Sequence, residues 1–149
     1  MQLPGDIFFD SVCSLLQEGK DVCITATGCS MLPFIVGGRD KVILHHNPSP
    51  KAGDIALARF PGERYILHRI LSIDAHGQVV MMGDGNIRGV EKCTVADICA
   101  TVTHIVDPRG RKHDVYSPAR VASARVWRAL SPVRRILLAI YRRTVLKLY

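Results

Sequence analysis

The stretch TATGCSMLPFIVGGRDKVIL, residues 25–44, decides how this chain folds, because it places a glycine-containing loop between two strand-like runs. Residues 22–26 and 41–45 have the β-branched and apolar composition of strands. Ser30 lies in the loop between them. It is either an ordinary loop hydroxyl or a nucleophile, and a serine nucleophile needs a base that the fold brings to it.

Further strand-like runs continue from this stretch along the middle of the chain. Turn-forming residues rich in Gly, Pro, Asn and Asp separate them, and no helical crossover is evident. The predicted strands after residue 45 cover residues 54–60, 65–73, 78–82 and 98–106. This spacing predicts a mainly β fold, with an antiparallel sheet closed or folded over on itself.

Helices are predicted at both ends of the chain. Residues 6–18 form a short amphipathic pattern whose shared face comprises Phe8, Val12, Leu15 and Leu16. Near the other end, Ser117-Pro118 and Ser131-Pro132 each place a capping hydroxyl before a proline, which predicts two helices meeting at Ser131. We therefore expect a β domain over residues 1–115 and a basic amphipathic helical tail over 116–149.

The positive charge of the chain is concentrated in this tail. The net charge is +7, yet residues 109–149 contain eleven lysines and arginines against one acid, Asp114. On a helical wheel Arg128, Arg135 and Arg142 stack on one side. The apolar residues opposite them are Val126, Leu130, Val133, Leu137, Ile140 and Tyr141. Such asymmetry indicates an anionic partner, either a membrane surface or nucleic acid, or else a solvated face on a helix that packs on the domain.

The remaining composition excludes several protein classes. Five cysteines without a C-x-x-C pair favour reduced thiols over a disulfide framework or a zinc site. The adjacent histidines 45 and 46 would point to opposite faces of a strand and lack an evident third ligand. Residues 1–20 lack the unbroken apolar run of a signal peptide or a membrane span. We expect a cytoplasmic protein without cofactor or metal.

His68 is the candidate base for Ser30. It lies inside the apolar run YILHRILSI, where an unpartnered imidazole would carry a desolvation cost. If strands 65–73 and 78–82 form a hairpin, Asp84 in GDGN comes near the early part of the first strand, on the side of His68. A carboxylate there could orient the imidazole. Taken singly, each residue has an ordinary alternative, as a loop hydroxyl, a satisfied strand histidine and a turn-former.

Five short motifs, in order, resemble the serine peptidases that comprise type I signal peptidases and the self-cleaving SOS-type repressors. They are GCSMLP (28–33), GGRDKV (37–42), KAGDIA (51–56), LHRI (67–70) and GDGN (83–86). The resemblance implies that Ser30 is the nucleophile and that His68 occupies the position of the family's lysine base, as in endoplasmic-reticulum-type signal peptidases. It also implies that Asp84 is the acidic residue of the last motif, and it implies a mostly antiparallel β fold.

The same resemblance implies the surroundings of the nucleophile. The Ser30 backbone N–H would donate to the oxyanion, and Gly28 stands where many signal peptidases carry a hydroxyl residue as a second oxyanion donor. Met31 and Pro33 would shape the loop and contact the substrate. Cys29 adjoins Ser30, but the motif places the serine in register. The membrane anchor of signal peptidases and the DNA-binding domain of the repressors are not evident in the sequence.

The expected function is therefore a serine endopeptidase that cleaves an extended peptide or leader segment. Two alternatives remain: a non-catalytic peptide-binding or membrane-surface adaptor, and a self-processing regulator. The expected partners are a peptide or protein substrate and an anionic membrane surface contacted by the tail arginines at the inner face of the membrane. Nucleic acid is not expected, since the tail lacks an aromatic platform or a known motif.

Overall fold

The structure, a computed structural model, describes residues 5–28, 30–61, 64–86 and 89–144. The strands along these residues are β1 (Val22–Thr25), β2 (Lys41–His45), β3 (Ile55–Phe60), β4 (Arg64–Ile73), β5 (Gln78–Met82), β6 (Glu91–Thr94), β7 (Ile98–Val106) and β8 (Lys112–Asp114). The helices are α1 (Gly5–Gln17), α2 (Pro118–Ala129) and α3 (Arg134–Thr144). The predicted mainly β fold with flanking helices is confirmed.

The strands form one antiparallel sheet. Their order is β1-β2-β7-β3-β4-β5-β6, and β8 pairs with β7. The register shifts opposite Ile43/Leu44 of β2 and Leu57/Ala58 of β3, where β7 has the extra residue, and between Ile70 and Ser72 in β4. Bulges bend a strand and increase its twist, which lets a sheet of this length curve over a core.

Strand β3 is buried on both faces because it lies between two hydrophobic clusters. Ile55 and Leu57 belong to the cluster beneath α1, β1 and β2. Ala56, Ala58 and Phe60 belong to the cluster formed with β4, β5 and β6. Successive side chains of a strand point to opposite faces, so this alternation places one half of the core on each side of β3.

The strand predictions agree with the structure except for two short strands that were missed. β6 (Glu91–Thr94) and β8 (Lys112–Asp114) have four and three residues, and three of the seven are Lys or Glu. Their composition is that of a loop, and pairing with β5 and β7 places them in the sheet. The expected face of α1 is wrong at Leu15, which is 38% exposed while Val12 and Leu16 are buried.

The C-terminal helices begin and meet where the sequence predicts. α2 starts at Pro118, and a 3₁₀ turn at Ser131–Val133 separates it from α3. Trp127 of α2 and Leu138 of α3 are buried in a cluster with Leu32 and Val36. The tail therefore packs directly on the loop that carries Ser30. Within the described residues, no helix has both the length and the apolar content to cross a bilayer.

Candidate functional site

The loop between β1 and β2 is closed at its base by backbone hydrogen bonds. The Ala26 N–H donates to the carbonyl of Asp40 at 3.0 Å, and the Gly38 N–H donates to the carbonyl of Ala26 at 2.7 Å. The buried Asp40 carboxylate accepts from the Val36 N–H at 2.9 Å. These bonds fix the two ends of the loop, so that Ser30 is presented from a rigid base.

Two glycines explain the tight path of this loop. Gly28 has a φ of +76°, a conformation that other residues rarely adopt. Gly37 lies so close to it that a Cβ on Gly37 would overlap backbone atoms of Gly28. Gly28 is thus required by its backbone conformation, and Gly37 by the close backbone approach to Gly28.

His68 lies in β4 and is held from one side by a carboxylate. His68 is 6% exposed, and its Nδ1 lies 2.8 Å from Oε2 of Glu91 on β6. Because an ionised carboxylate only accepts hydrogen bonds, the ring proton lies on Nδ1, and the Nδ1–H donates a hydrogen bond to Glu91. In the neutral ring this leaves Nε2 as the acceptor, which is the state a general base requires.

Ser30 and His68 line the same cavity, which has a volume of about 260 Å³. The rest of the wall is mainly apolar and includes Ile24, Ile35, Leu57, Tyr65 and Leu67. The site thus combines a hydroxyl, an oriented imidazole and an apolar recess.

The turn of residues 83–86 packs against the serine loop. The Gly85 N–H donates to the carbonyl of Ser30 at 2.7 Å. A Cβ on Gly83 would overlap that same carbonyl oxygen and would stand 3.1 Å from Nε2 of His68. The main chain of Ser30 and the imidazole of His68 therefore meet at one glycine.

Asp84 does not make the contact that the sequence suggests. Its two carboxylate oxygens accept from Nε and Nη2 of Arg69, each at 2.8 Å, and both side chains are buried. The expected contact of Asp84 with His68 is wrong because His68 and Arg69 are consecutive in a strand and point to opposite faces. Asp84 follows β5 on the Arg69 face, and Glu91 occupies the His68 face.

Sequence reasoning missed Glu91 because it lies in the short polar strand β6. The hairpin of β4 and β5 is present as predicted, but the carboxylate comes from the next strand, where Glu91 pairs with Met81. One sequence signal could have identified Glu91. The turn GDGN at the end of β5 is followed within five residues by the charged pair Glu91-Lys92, as expected for a strand that returns along β5.

The pair of Asp84 and Arg69 predicts a large stability effect. Asp84→Asn should lower the free energy of unfolding by about 3 kcal/mol, because it leaves a buried guanidinium without its counter-charge. Chemical denaturation measures this, with Asp21→Asn as the matched control, since Asp21 forms an exposed pair with His45. Exposed pairs contribute about 0–1 kcal/mol. Equal losses for the two variants would contradict a structural role for Asp84.

The other predicted site residues fall into two groups. Gly28 and Met31 line the cavity of Ser30 and His68. Pro33 instead lines an apolar groove between the serine loop and α2, together with Phe34, so its predicted contact with substrate at the nucleophile has no support in this geometry. Cys29 lies outside the described residues.

The C-terminal helices hold the turn that contains Asp84. Nε1 of Trp127 donates to the carbonyl of Asp84 at 2.7 Å, and Nη1 of Arg134 donates to the carbonyl of Asn86 at 3.1 Å. Trp127 is 9% exposed, so this aromatic side chain packs on the domain. The tail thus supports the two loops that meet at Gly83.

A pair of thiols lies behind the cavity wall. The hydrogen bond with Cys99 lowers the pKa of Cys13 to about 7, against the opposing effect of burial. The same hydrogen bond raises the pKa of Cys99. Burial raises the pKa of the nearby Tyr65, whose hydroxyl donates to Asp10 at 2.7 Å. The lowered pKa makes Cys13 more reactive toward thiol reagents than Cys99, and Cys23 is exposed, so a probe of Ser30 has to be selective for serine.

A curved antiparallel sheet with a serine loop facing a strand histidine defines a scaffold of the serine-peptidase type. A family model described as Peptidase S24-like matches residues 3–84, more than half of the chain, and the protein belongs to this family. The expected membership in the superfamily of signal peptidases and self-cleaving repressors is confirmed. No curated protein matches the chain. Ser30 and His68 lie inside the matched segment and Glu91 lies beyond it.

Proposed function

We propose that this protein is a serine endopeptidase in which Ser30 is the nucleophile, His68 the general base and Glu91 the residue that orients the base. The observation that carries the proposal is the shared cavity of Ser30 and His68, with Nδ1 of His68 bound to Glu91. The unprotonated Nε2 is then available to the serine hydroxyl. Membership in a peptidase family supports the same reaction class.

The reaction follows from these positions. Oγ of Ser30 attacks the peptide carbonyl while Nε2 of His68 takes its proton, and the Ser30 N–H donates to the oxyanion. The imidazolium gives that proton to the leaving amine, and Glu91 stabilises its charge. Water, deprotonated by His68, then releases the acyl group and restores Ser30.

The cavity also indicates how a substrate is held. Its walls include residues 24–27 of β1 and its extension and residues 65–68 of β4, and β1 is the terminal strand of the sheet order. An extended peptide can add to such a strand through backbone hydrogen bonds. The apolar recess then takes one aliphatic side chain of the peptide next to the scissile bond.

Incubation of the full chain with a mixed peptide library, followed by mass spectrometry, tests the proposal. We expect products with an aliphatic residue beside the cut, and labelling of Ser30 by a fluorophosphonate. Peptides that bind without cleavage, on a protein whose Ser30 stays unlabelled, would support the non-catalytic adaptor. Loss of intact mass without library cleavage would support the self-processing regulator.

The hydrogen bond between Glu91 and His68 predicts that a change at Glu91 affects turnover rather than substrate binding. Glu91→Gln should lower kcat about a hundredfold and leave KM nearly unchanged, because the amide keeps a hydrogen-bond acceptor but cannot stabilise the imidazolium by charge. Steady-state kinetics on a library-derived peptide measures this. Glu18→Gln is the matched control, since Glu18 is exposed and pairs with Lys20. An unchanged kcat in Glu91→Gln would remove Glu91 from the mechanism.

A further inference from the structure

The C-terminal helices also carry aliphatic side chains that the domain leaves exposed. Their inner face is buried through Trp127, Leu138 and Arg134. Beside this buried face the two helices and the turn between them carry five exposed aliphatic side chains, which we call the apolar strip. The strip consists of Val126 (58% exposed), Leu130 (36%), Val133 (42%), Ile136 (62%) and Ile140 (53%).

Exposure of this kind is unusual on a helix that already has a buried face. Ile136 and Ile140 are four residues apart in α3 and therefore lie on the same side. Val133 precedes Ile136 by three residues and extends the row toward α2. Several exposed aliphatic side chains on one pair of helices are typical of a surface that another molecule covers.

The charge around the strip identifies the chemistry of that molecule. Residues 118–144 contain seven arginines and no acidic residue. Arg135 and Arg143 are exposed, and Arg143 lies seven residues from Ile136, on the same side of α3. A second copy meeting strip to strip would bring these arginines against each other. The occupant must therefore be both apolar and anionic.

The strip reaches the loop that carries the proposed nucleophile. Val126 and Leu130 line the open apolar groove that also contains Pro33 and Phe34 of the serine loop. A surface that covers the strip would thus lie beside the catalytic domain's serine loop rather than at its far end.

We propose that the apolar strip and its arginines bind the surface of an anionic lipid bilayer, with α2 and α3 lying in the plane of the interface. An amphipathic helix binds in this way when aliphatic side chains enter the headgroup boundary and arginines contact lipid phosphates. Nucleic acid would contact the arginines, but it would leave the five aliphatic side chains of the strip exposed to water. This binding goes beyond the proposed peptidase activity and does not depend on it.

Vesicle co-sedimentation of the full chain tests the proposal. We expect binding to vesicles of phosphatidylcholine mixed with phosphatidylglycerol, little binding to phosphatidylcholine alone, and weakening as salt screens the charge. Arg135→Gln combined with Arg143→Gln should weaken binding about thirtyfold, at about 1 kcal/mol for each arginine. Ile136→Ser combined with Ile140→Ser should weaken it at least about tenfold.

Matched variants elsewhere on the surface control for charge and hydrophobicity. Arg109→Gln and Val90→Ser replace exposed residues outside the helices and should bind vesicles as the native chain does. Unchanged thermal melting of all variants shows that they fold. Equal binding to neutral and anionic vesicles, or undiminished binding by the double isoleucine variant, would overturn the proposal. So would binding to duplex nucleic acid in preference to vesicles, or self-association that the double isoleucine variant abolishes in the absence of lipid.

Discussion

Ser30→Ala is expected to lower kcat for peptide cleavage by about 10⁴-fold or more, while leaving the fold unchanged. The loss is large because the serine oxygen forms the covalent bond, and no other group can replace it at the same place. The residual rate comes from binding and from the oxyanion donor alone. Single-turnover kinetics on a library-derived peptide measures the loss of rate, and thermal melting shows whether the fold is unchanged.

His68→Gln should cause a loss of similar size, and the double variant should be no worse than either single one. Groups that act as a unit in one step give such non-additive losses, because removal of either already disables the step. Ser72→Ala is the matched control, since Ser72 is exposed on the same strand as His68. A Ser30→Ala protein that cleaves at the native rate would place the nucleophile elsewhere.

The sequence predicted those features that depend on neighbouring residues. Strand alternation, the Gly and Pro turns and the Ser-Pro starts of the helices are local signals, and they located nearly all elements to within one or two residues. Ser30 and His68 were selected as the candidate pair from the sequence, through the resemblance of the ordered motifs, and the structure places both in the wall of one cavity.

The features that the sequence did not predict depend on which elements become neighbours. A carboxylate near His68 follows from the desolvation cost of a buried imidazole, but the choice between Asp84 and Glu91 depends on strand register and face. The role of Trp127 likewise depends on tertiary packing. An aromatic residue on an amphipathic helix fits a membrane interface and a protein core equally well, and its bond to the Asp84 carbonyl selects the core.

The second large effect is expected at Gly83, where the backbone of the turn lies close to the Ser30 carbonyl and the His68 ring. Gly83→Ala should lower the free energy of unfolding by about 4 kcal/mol and should reduce cleavage more than about a hundredfold. The added Cβ would overlap the carbonyl oxygen of Ser30, a backbone atom fixed by its bond to Gly85, and would press on the His68 ring. Relief of the overlap requires the serine loop and the turn of residues 83–86 to separate, and a displacement of about 1 Å is enough to misalign the proposed nucleophile and its base.

Gly110→Ala separates this effect from the ordinary cost of replacing a glycine. Gly110 has a φ of +78°, and a Cβ added there would meet no atom within 4 Å, so alanine should cost only about 1 kcal/mol and leave cleavage intact. Denaturant unfolding and peptide kinetics on both variants give the comparison. If Gly83→Ala is as stable and active as Gly110→Ala, the serine loop and the imidazole are farther apart than this site requires, and the proton transfer between Ser30 and His68 loses its geometric basis.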